Sequence, residues 1–257
     1  MSKSIGIIPA RYASSRFPGK PLVDIAGKSM IQRVYEQVAL SKLDQVIVAT
    51  DDQRIYDTVK KFGGKVVMTG QHENGTSRCI EAFLKTDQEY DILVNIQGDE
   101  PFIQPAQINA ALAAFKVPQT SIATLAKRVT HLNDLLNSNV VKVAFSNPIE
   151  TGVYNALYFS RSPIPFVRDL PQEEWLAQHH FYKHIGLYAF SRSFLIDHYP
   201  HIKPSRLEAM EMLEQLSWLE NGYAIRILET TIETPNIDTP KDLEIALDWL
   251  KSNPLII

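Results

Sequence analysis

Cysteine is almost missing from this sequence. Cys79 stands alone among 257 residues, which excludes an intramolecular disulfide and suits a reducing compartment. Long apolar runs are missing too, and none approaches the roughly 18 residues that a membrane helix needs. The chain passes from "MSKS" straight into a short apolar stretch. No signal peptide is therefore expected, and a soluble, cytoplasmic protein without membrane insertion is the default. Charge of one sign is not in excess. The formal net charge of -3, with no aromatics interleaved among the basic residues, argues against a nucleic-acid partner. Internal repeats and low-complexity linkers are absent. The remainder, 45% hydrophobic and 21% charged, is ordinary globular composition with ample material for a core.

What is present alternates. "IGIIPA" at 5–10, "QVIVAT" at 45–50, "KVVMT" at 65–69 and "DILVNIQ" at 91–97 are short, β-branched and apolar, and they predict buried strands. Between them "KSMIQRVYEQVALS", "DDQRIYDTVKKFGG" and "SRCIEAFLKT" have helical spacing, with capping aspartates opening the second and a glycine pair closing it. This order predicts an α/β fold, a mostly parallel central sheet with helices on both faces. The second half is mixed, with strand-like "TSIATLAKRV", "VVKVAF", "NALYFS", "HIGLYAFS" and "AIRILET", and predicts a smaller mixed sheet extension. "SRLEAMEMLEQLSWLENG" predicts one long helix, with Ser205 and Glu208 as a capping-box pair and Gly222 after the last turn. A last helix starts at "DTPKDLEIALDWLK", with Asp238 or Thr239 as N-cap and Pro240 in its first position. Segment 166–182 is polar and predicts a long loop.

The first chemistry-bearing stretch is "PARYASSRFPGKP", Pro9 to Pro21. In an open parallel sheet, ligands sit beyond the carboxyl ends of the strands, often at the first strand-to-helix turn. There Gly19 permits close backbone approach, Ser14 and Ser15 offer hydroxyls, and Arg11, Arg16 and Lys20 supply cations for a polyanion. Neither G-x-x-x-x-G-K-[ST] nor G-x-G-x-x-G is present. Two acidic turns accompany this loop. "QGDEP" sets Asp99 at a strand end and "NIDTP" sets Asp238 at a helix start, both positions where turn formation or capping alone would favour aspartate. Taken with a polycationic loop, they predict a Mg2+–triphosphate site, since Mg2+ favours one or two carboxylates plus phosphate oxygens. Asp51 and Asp52 fit helix capping. "HENGTSR", His72 to Arg78, reads as a capped helix start able to offer backbone N–H and guanidinium groups.

In the second half, Ser160 and Arg161 end a strand, and His184 and Tyr188 share a strand face. Glu214 and Gln215 lie on a helix whose Leu207, Met210, Leu213 and Leu216 are expected to face a core. His179, His180 and His184 lack the cysteine or acidic partner that zinc would require.

In order along nearly the whole chain, "IGIIPARYASSRFPGKPL", "VATDD", "NGTSR", "VNIQGDEP", "ALYFSR", "HIGLYAF", "EMLEQL" and "DTPKDL" resemble the 3-deoxy-manno-octulosonate (KDO) cytidylyltransferase family. The resemblance implies a Rossmann-like nucleotidyltransferase fold in a single domain, with residues 1–120 mainly binding CTP and 121–257 mainly binding the sugar acid and dimerising. It implies a homodimer that uses Mg2+ to convert CTP and KDO into CMP-KDO and pyrophosphate for lipopolysaccharide biosynthesis. Around the nucleotide it places Ala10, Arg11, Ser14, Ser15, Arg16, Lys20, Asn74, Gly75, Arg78 and Gln97, with Lys20, Arg11, Arg16 and Asp99 catalytic. Asp99 and Asp238 would hold magnesium. Arg161, His184, Tyr188, Glu214 and Gln215 would surround the sugar acid. Asn74-Gly75-Thr76-Ser77 departs from the family pattern, which has serine-glycine-threonine followed by an acid. The nearest alternatives are a related sugar acid, of the 8-amino-KDO or sialic acid type, and a catalytically silent CTP-binding protein.

Overall fold

The computed structural model describes residues 2–13, 17–86 and 89–253. The chain forms two compact units, Met1–Asn109 with Thr234–Ile257, and Ala110–Glu233. The division therefore falls before residue 120, and the C-terminal segment belongs with the first unit. The reason is apolar. Ile237, Ala246 and Leu250 share one cluster with Ile25, Met30 and Phe102.

In the first unit, strands β1 (Ser4–Ala10), β2 (Gln45–Thr50), β3 (Val66–Met68) and β4 (Ile92–Asn95) pair in parallel in the order β3-β2-β1-β4. β1 lies inside this set, and Ile5, Ile7 and Ile8 are fully buried, which is why its sequence is continuously apolar rather than alternating. Three helices follow β1 to β3. They are α1 (Met30–Ala39), α2 (Gln53–Lys61) and α3 (Gly75–Leu84). Each is capped by the side chain before it, Ser29, Asp52 and Asn74, which accept from backbone N–H groups of the first turn. The C-terminal helix Pro240–Ser252 has a complete capping box between Thr239 and Asp242, with Pro240 in the first turn. Thr239, not Asp238, is the cap.

The second unit holds β5 (Ile122–Arg128), β6 (Lys142–Phe145), β7 (Val153–Ser160), β8 (Tyr182–Ser191) and β9 (Ile225–Glu229), in the order β8-β5-β9-β7-β6. β5 and β9 are parallel, and the other neighbours are antiparallel. The expected loop 166–182 contains a short helix, Trp175–Gln178, because Trp175 is an anchor. Its ring is buried against Phe181, Val129 and Leu135, and its Nε1 donates to Leu170 O at 2.9 Å.

The long helix expected over 205–222 is two helices, α4 (Arg206–Glu211) and α5 (Gln215–Glu220). Met212 breaks it in the left-handed region at φ 53. Tertiary hydrogen bonds explain the break. Arg161 Nε donates to Glu211 O at 2.7 Å, and its terminal nitrogens reach Ser138 O at 3.1 Å and Met212 O at 3.4 Å. The carbonyls of Glu211 and Met212 are those a continuing helix would bond to residues 215 and 216. Met210 is consequently 79% exposed instead of facing a core, while Leu213 and Leu216 are buried. Ser205 caps α4 by accepting from Glu208 N, but the Glu208 carboxylate goes to Ser217 Oγ, so the expected capping box is not closed. Among the described residues no helix is long and apolar enough to cross a membrane.

A left-handed residue with a Cβ carries roughly 1–2 kcal/mol of strain, of which glycine's extra chain entropy offsets about half. Met212→Gly should therefore raise stability by about 0.5–1 kcal/mol in urea unfolding, and Met212→Val should lower it by about 1 kcal/mol. A lower midpoint for the glycine variant would contradict the strain argument.

Candidate active site

Beyond the carboxyl ends of β1 and β4, one cavity of the first unit is lined by Ala10, Arg11, Lys20, Asn74, Gly75, Arg78, Gln97, Asp99 and Asp238. Pro9, Pro21, His72 and Gly98 complete the lining. Segments far apart in sequence meet here because three backbone devices deliver them. Gly19, at φ 73, donates its N–H to Tyr12 O at 3.0 Å and opens the short 3-10 turn that starts with Lys20. Gly98 lets the end of β4 turn against β1, since a Cβ there would stand 2.8 Å from Pro9 O. Ile237 N donates to Asp99 O at 3.0 Å and fixes the C-terminal segment at the same turn.

Lys20 is the centre of the arrangement. Its Nζ lies 2.8 Å from Asp99 Oδ2 and 3.1 Å from Asp238 Oδ1, with the lysine side chain 14% exposed. Two carboxylates brought to one ammonium would repel without it. Lys20 neutralises one of the two negative charges and leaves the triad at -1. Beside it, part of Glu100 reaches the surface, yet burial of its carboxyl, with the Asp99 charge adding, raises its pKa to about 8. Near neutrality Glu100 therefore adds little negative charge.

At the other side of the cavity stands the N-terminus of α3, where Asn74 Oδ1 accepts from Ser77 N at 2.8 Å. The departure at Asn74 thus keeps a helix cap, and the turn from Gly75 offers backbone N–H groups to an anion. Arg78 lines the cavity but is committed. Its guanidinium donates to Thr69 Oγ1 at 2.7 Å and to Asp51 Oδ2 at 2.9 Å. Asp51 is therefore a partner of Arg78, and Asp52 caps α2 and pairs with Arg54. His72, unassigned in the sequence, bonds Glu81, whose pKa falls to about 2 through Lys85 first and His72 second. Ser14, Ser15 and Arg16 lie outside the described residues.

A second cluster occupies the second unit. His184 and Tyr188 meet with ring centroids 5.1 Å apart, and Tyr188 packs edge-on against Trp218 of α5. Although His184 keeps part of its surface open, burial of its ring lowers its pKa to about 3, so it is neutral under all ordinary conditions. Burial, with the Glu214 charge contributing, raises the Tyr188 phenol well above its usual range. Glu214 accepts from Tyr199 OH at 3.0 Å, and Gln215 is buried at the start of α5. Arg161 does not stand open to a ligand, because carbonyls occupy its guanidinium. Glu211, which the sequence did not single out, holds this corner by accepting from Ser160 Oγ at 2.6 Å and Arg161 N at 2.9 Å.

A cationic turn, paired aspartates and a helix N-terminus meet in one cavity at the end of parallel strands, and comparison makes the class of protein specific. Residues 5–230 match the cytidylyltransferase family. The chain is 54% identical to 3-deoxy-manno-octulosonate cytidylyltransferases of Bacteroides thetaiotaomicron and Parabacteroides distasonis, over 97% of this chain and 99% of each relative. A solved CMP:2-keto-3-deoxy-manno-octonic acid synthetase complexed with CTP is 39% identical, with TM-score 0.89 over 98% of this chain and all of that one. A UDP-glucose pyrophosphorylase, 15% identical with TM-score 0.66, shares the fold. The protein is thus an enzyme of the nucleotidyltransferase class. More narrowly, it belongs to the 3-deoxy-manno-octulosonate cytidylyltransferase family.

The cavity depends on the close approach at Gly98. Gly98→Ala should destabilise the fold by about 1–3 kcal/mol and weaken CTP binding in calorimetry, because backbone must move. Gly75→Ala, whose Cβ would meet the Pro9 ring, Cγ at 3.3 Å and Cβ at 3.8 Å, and no backbone atom, should be the milder change. The reverse ranking would show that the contact at Pro9 O does not shape the site.

Proposed function

We propose that the chain transfers the cytidylyl group of CTP to KDO, releasing pyrophosphate, and that the first unit, a Rossmann-like nucleotide-binding sheet, holds the CTP while the second unit binds the sugar acid. The single observation that carries this reading is one lysine held between two aspartates in a cavity that also receives a helix N-terminus.

Arg11 and Lys20, with Arg16 in the same loop, bind the triphosphate and neutralise charge that gathers on the α-phosphate and the departing pyrophosphate. Arg11 and Lys20 already line the cavity, so once the substrate is bound little further reorganisation accompanies the transfer. Backbone N–H groups at the start of α3, with Gln97 and Ala10, orient the nucleoside. His184, Tyr188, Glu214 and Gln215 hold the hydroxyls of the sugar acid, and Arg161 supports this site by fixing the helix break. The anomeric hydroxyl attacks the α-phosphorus in line with the leaving pyrophosphate.

Asp99 and Asp238 fit a magnesium site, because they are hard oxygen donors that already share one cation, the Lys20 ammonium. A magnesium ion held there supplies Lewis-acid charge to phosphate oxygens and lowers the pKa of a bound hydroxyl. In this reading Lys20 exchanges its carboxylate partners for phosphate oxygens when substrate and metal bind.

A homodimer, expected to form through the second unit, agrees with the exposed Leu157, Phe166, Met210 and Met212 there. The product belongs to lipopolysaccharide assembly, with the reaction in the cytoplasm where CTP is available.

Two experiments test these readings. Lys20→Met should lower the rate of pyrophosphate release about 10²–10³-fold. In the substrate-free enzyme the same variant should bind Mn2+ more tightly, since the carboxylates lose a competing cation, and Asp99→Ala should abolish that binding. Near-normal rates in both variants would end the proposed chemistry. For the dimer, light scattering should give twice the chain mass, reduced toward one mass by Phe166→Ser with Met210→Ser. A monomer in the unaltered protein would refute it.

A further inference from the structure

Strand β8 carries two more residues than its partner β5 between Ile185, opposite Leu125, and Tyr188, opposite Thr124. On an unbroken strand, side chains four residues apart would stand about 13 Å apart. The two inserted residues, Gly186 and Leu187, instead bring His184 and Tyr188 to adjacent positions on one face, which explains the 5.1 Å between their rings.

The hydroxyl opposite this bulge belongs to Thr124, which is fully buried. Its Oγ1 lies 2.7 Å from Leu187 O, 3.2 Å from Ile185 O and 2.9 Å from His184 Nε2. Two oxygens 2.7 Å apart repel unless a proton lies between them, and a carbonyl has none to give. The single hydroxyl proton of Thr124 is therefore spent on a carbonyl. Towards the imidazole the hydroxyl can act only as an acceptor, so Nε2 must carry hydrogen. A neutral ring with hydrogen on Nε2 has a bare Nδ1, and among the described residues that nitrogen has no hydrogen-bond partner. On the contacting Tyr188 ring the hydroxyl also has none, although the residue is only 7% exposed. Polar atoms without protein partners on two contacting rings point to a ligand that supplies hydrogen bonds.

We propose that Thr124 is a positioning residue that locks His184 in its Nε2-protonated tautomer, so that Nδ1 accepts a hydrogen bond from a hydroxyl group of the sugar acid. The proposal rests on the reading of His184 as part of the sugar-acid site. It gives the site a sense of direction. A substituent that donates O–H is accepted, and one that only accepts, such as fluorine or a methyl ether, leaves two lone pairs opposed.

The test combines a spectrum with kinetics. In the unaltered enzyme, long-range proton–nitrogen correlation of the imidazole should show a protonated Nε2 and a bare Nδ1 for His184. The opposite tautomer, or a doubly protonated ring, would overturn the proposal whatever any variant does. Thr124→Val should give mixed tautomers and raise KM for KDO about tenfold, the value of one hydrogen bond, with KM for CTP unchanged. Thr124→Ser should restore both properties. His184→Ala separates the two levels. If it raises KM for KDO while Thr124→Val does not, the positioning role is wrong and the site reading stands. If His184→Ala leaves KM for KDO unchanged, both are wrong.

Discussion

The ion pair that joins Lys20 to Asp99 and Asp238 is what the rest of the first unit is arranged to hold. Its members are 79 and 218 residues apart in the chain, and one ammonium reaches both carboxylates. In a partly buried pair of this kind desolvation offsets much of the Coulomb attraction, which leaves too little net stability to organise a fold. The relation therefore runs the other way, with the fold holding the charges. Gly19 turns the first loop so that Lys20 points inward, Gly98 brings Asp99 beside β1, and Thr239 takes over helix capping so that the Asp238 carboxylate turns to the lysine. Positioned charges of this sort are what phosphoryl chemistry asks of a protein, since little covalent work falls to side chains there.

The same constraint explains why the C-terminal segment returns to the first unit. Asp238 has to be supplied from the far end of the chain, and a carboxylate on a loose tail would not stay in register with Asp99. Burial of Ile237 against Phe102 and Met30, the backbone bond from Ile237 N to Asp99 O, and the docked helix Pro240–Ser252 remove that freedom. Stability and site geometry are therefore coupled at Ile237. Ile237 is not among the residues lining the cavity, yet its apolar burial sets the spacing of the two carboxylates.

Much of this was legible in the sequence because the signals were local. β1 and β2 show as apolar β-branched runs, Asp52 and Ser205 as caps, Thr239 with Pro240 as a helix start. The cavity was foreshadowed as well. The loop Pro9–Pro21 and the turns at Asp99 and Asp238 carry residue types whose common partner is an anion with a metal. What stayed hidden depended on contacts between distant residues. Helix propensity across 205–222 is strong, and nothing within that stretch announces that Arg161 will claim the carbonyls of Glu211 and Met212. The polar loop 166–182 concealed a buried Trp175 whose core neighbours lie in other segments. Arg78 and Arg161 looked like ligand-seeking cations, but Asp51, Thr69 and a set of carbonyls occupy them. The shared strand face of His184 and Tyr188 follows from period two. Their contact follows from a bulge that period two cannot foretell.

On the proposed assignment, the two clusters solve different recognition problems with different physics. A triphosphate is a dense anion, and fixed cations with a helix N-terminus attract it strongly without specifying much about its shape. A polyhydroxylated acid resembles water in its hydrogen bonding, and charge alone could not tell one sugar from another. The second unit answers with neutral, directional groups. His184 is kept uncharged by burial, Tyr188 carries a phenol well protected from ionisation, and a threonine assigns the imidazole proton. Neutral groups in a partly dry site penalise a mismatched ligand heavily, because each unpaired donor or acceptor loses its bond to water without replacement. In that assignment charges set how tightly the first substrate is held, and tautomers and hydroxyls decide which second substrate is accepted.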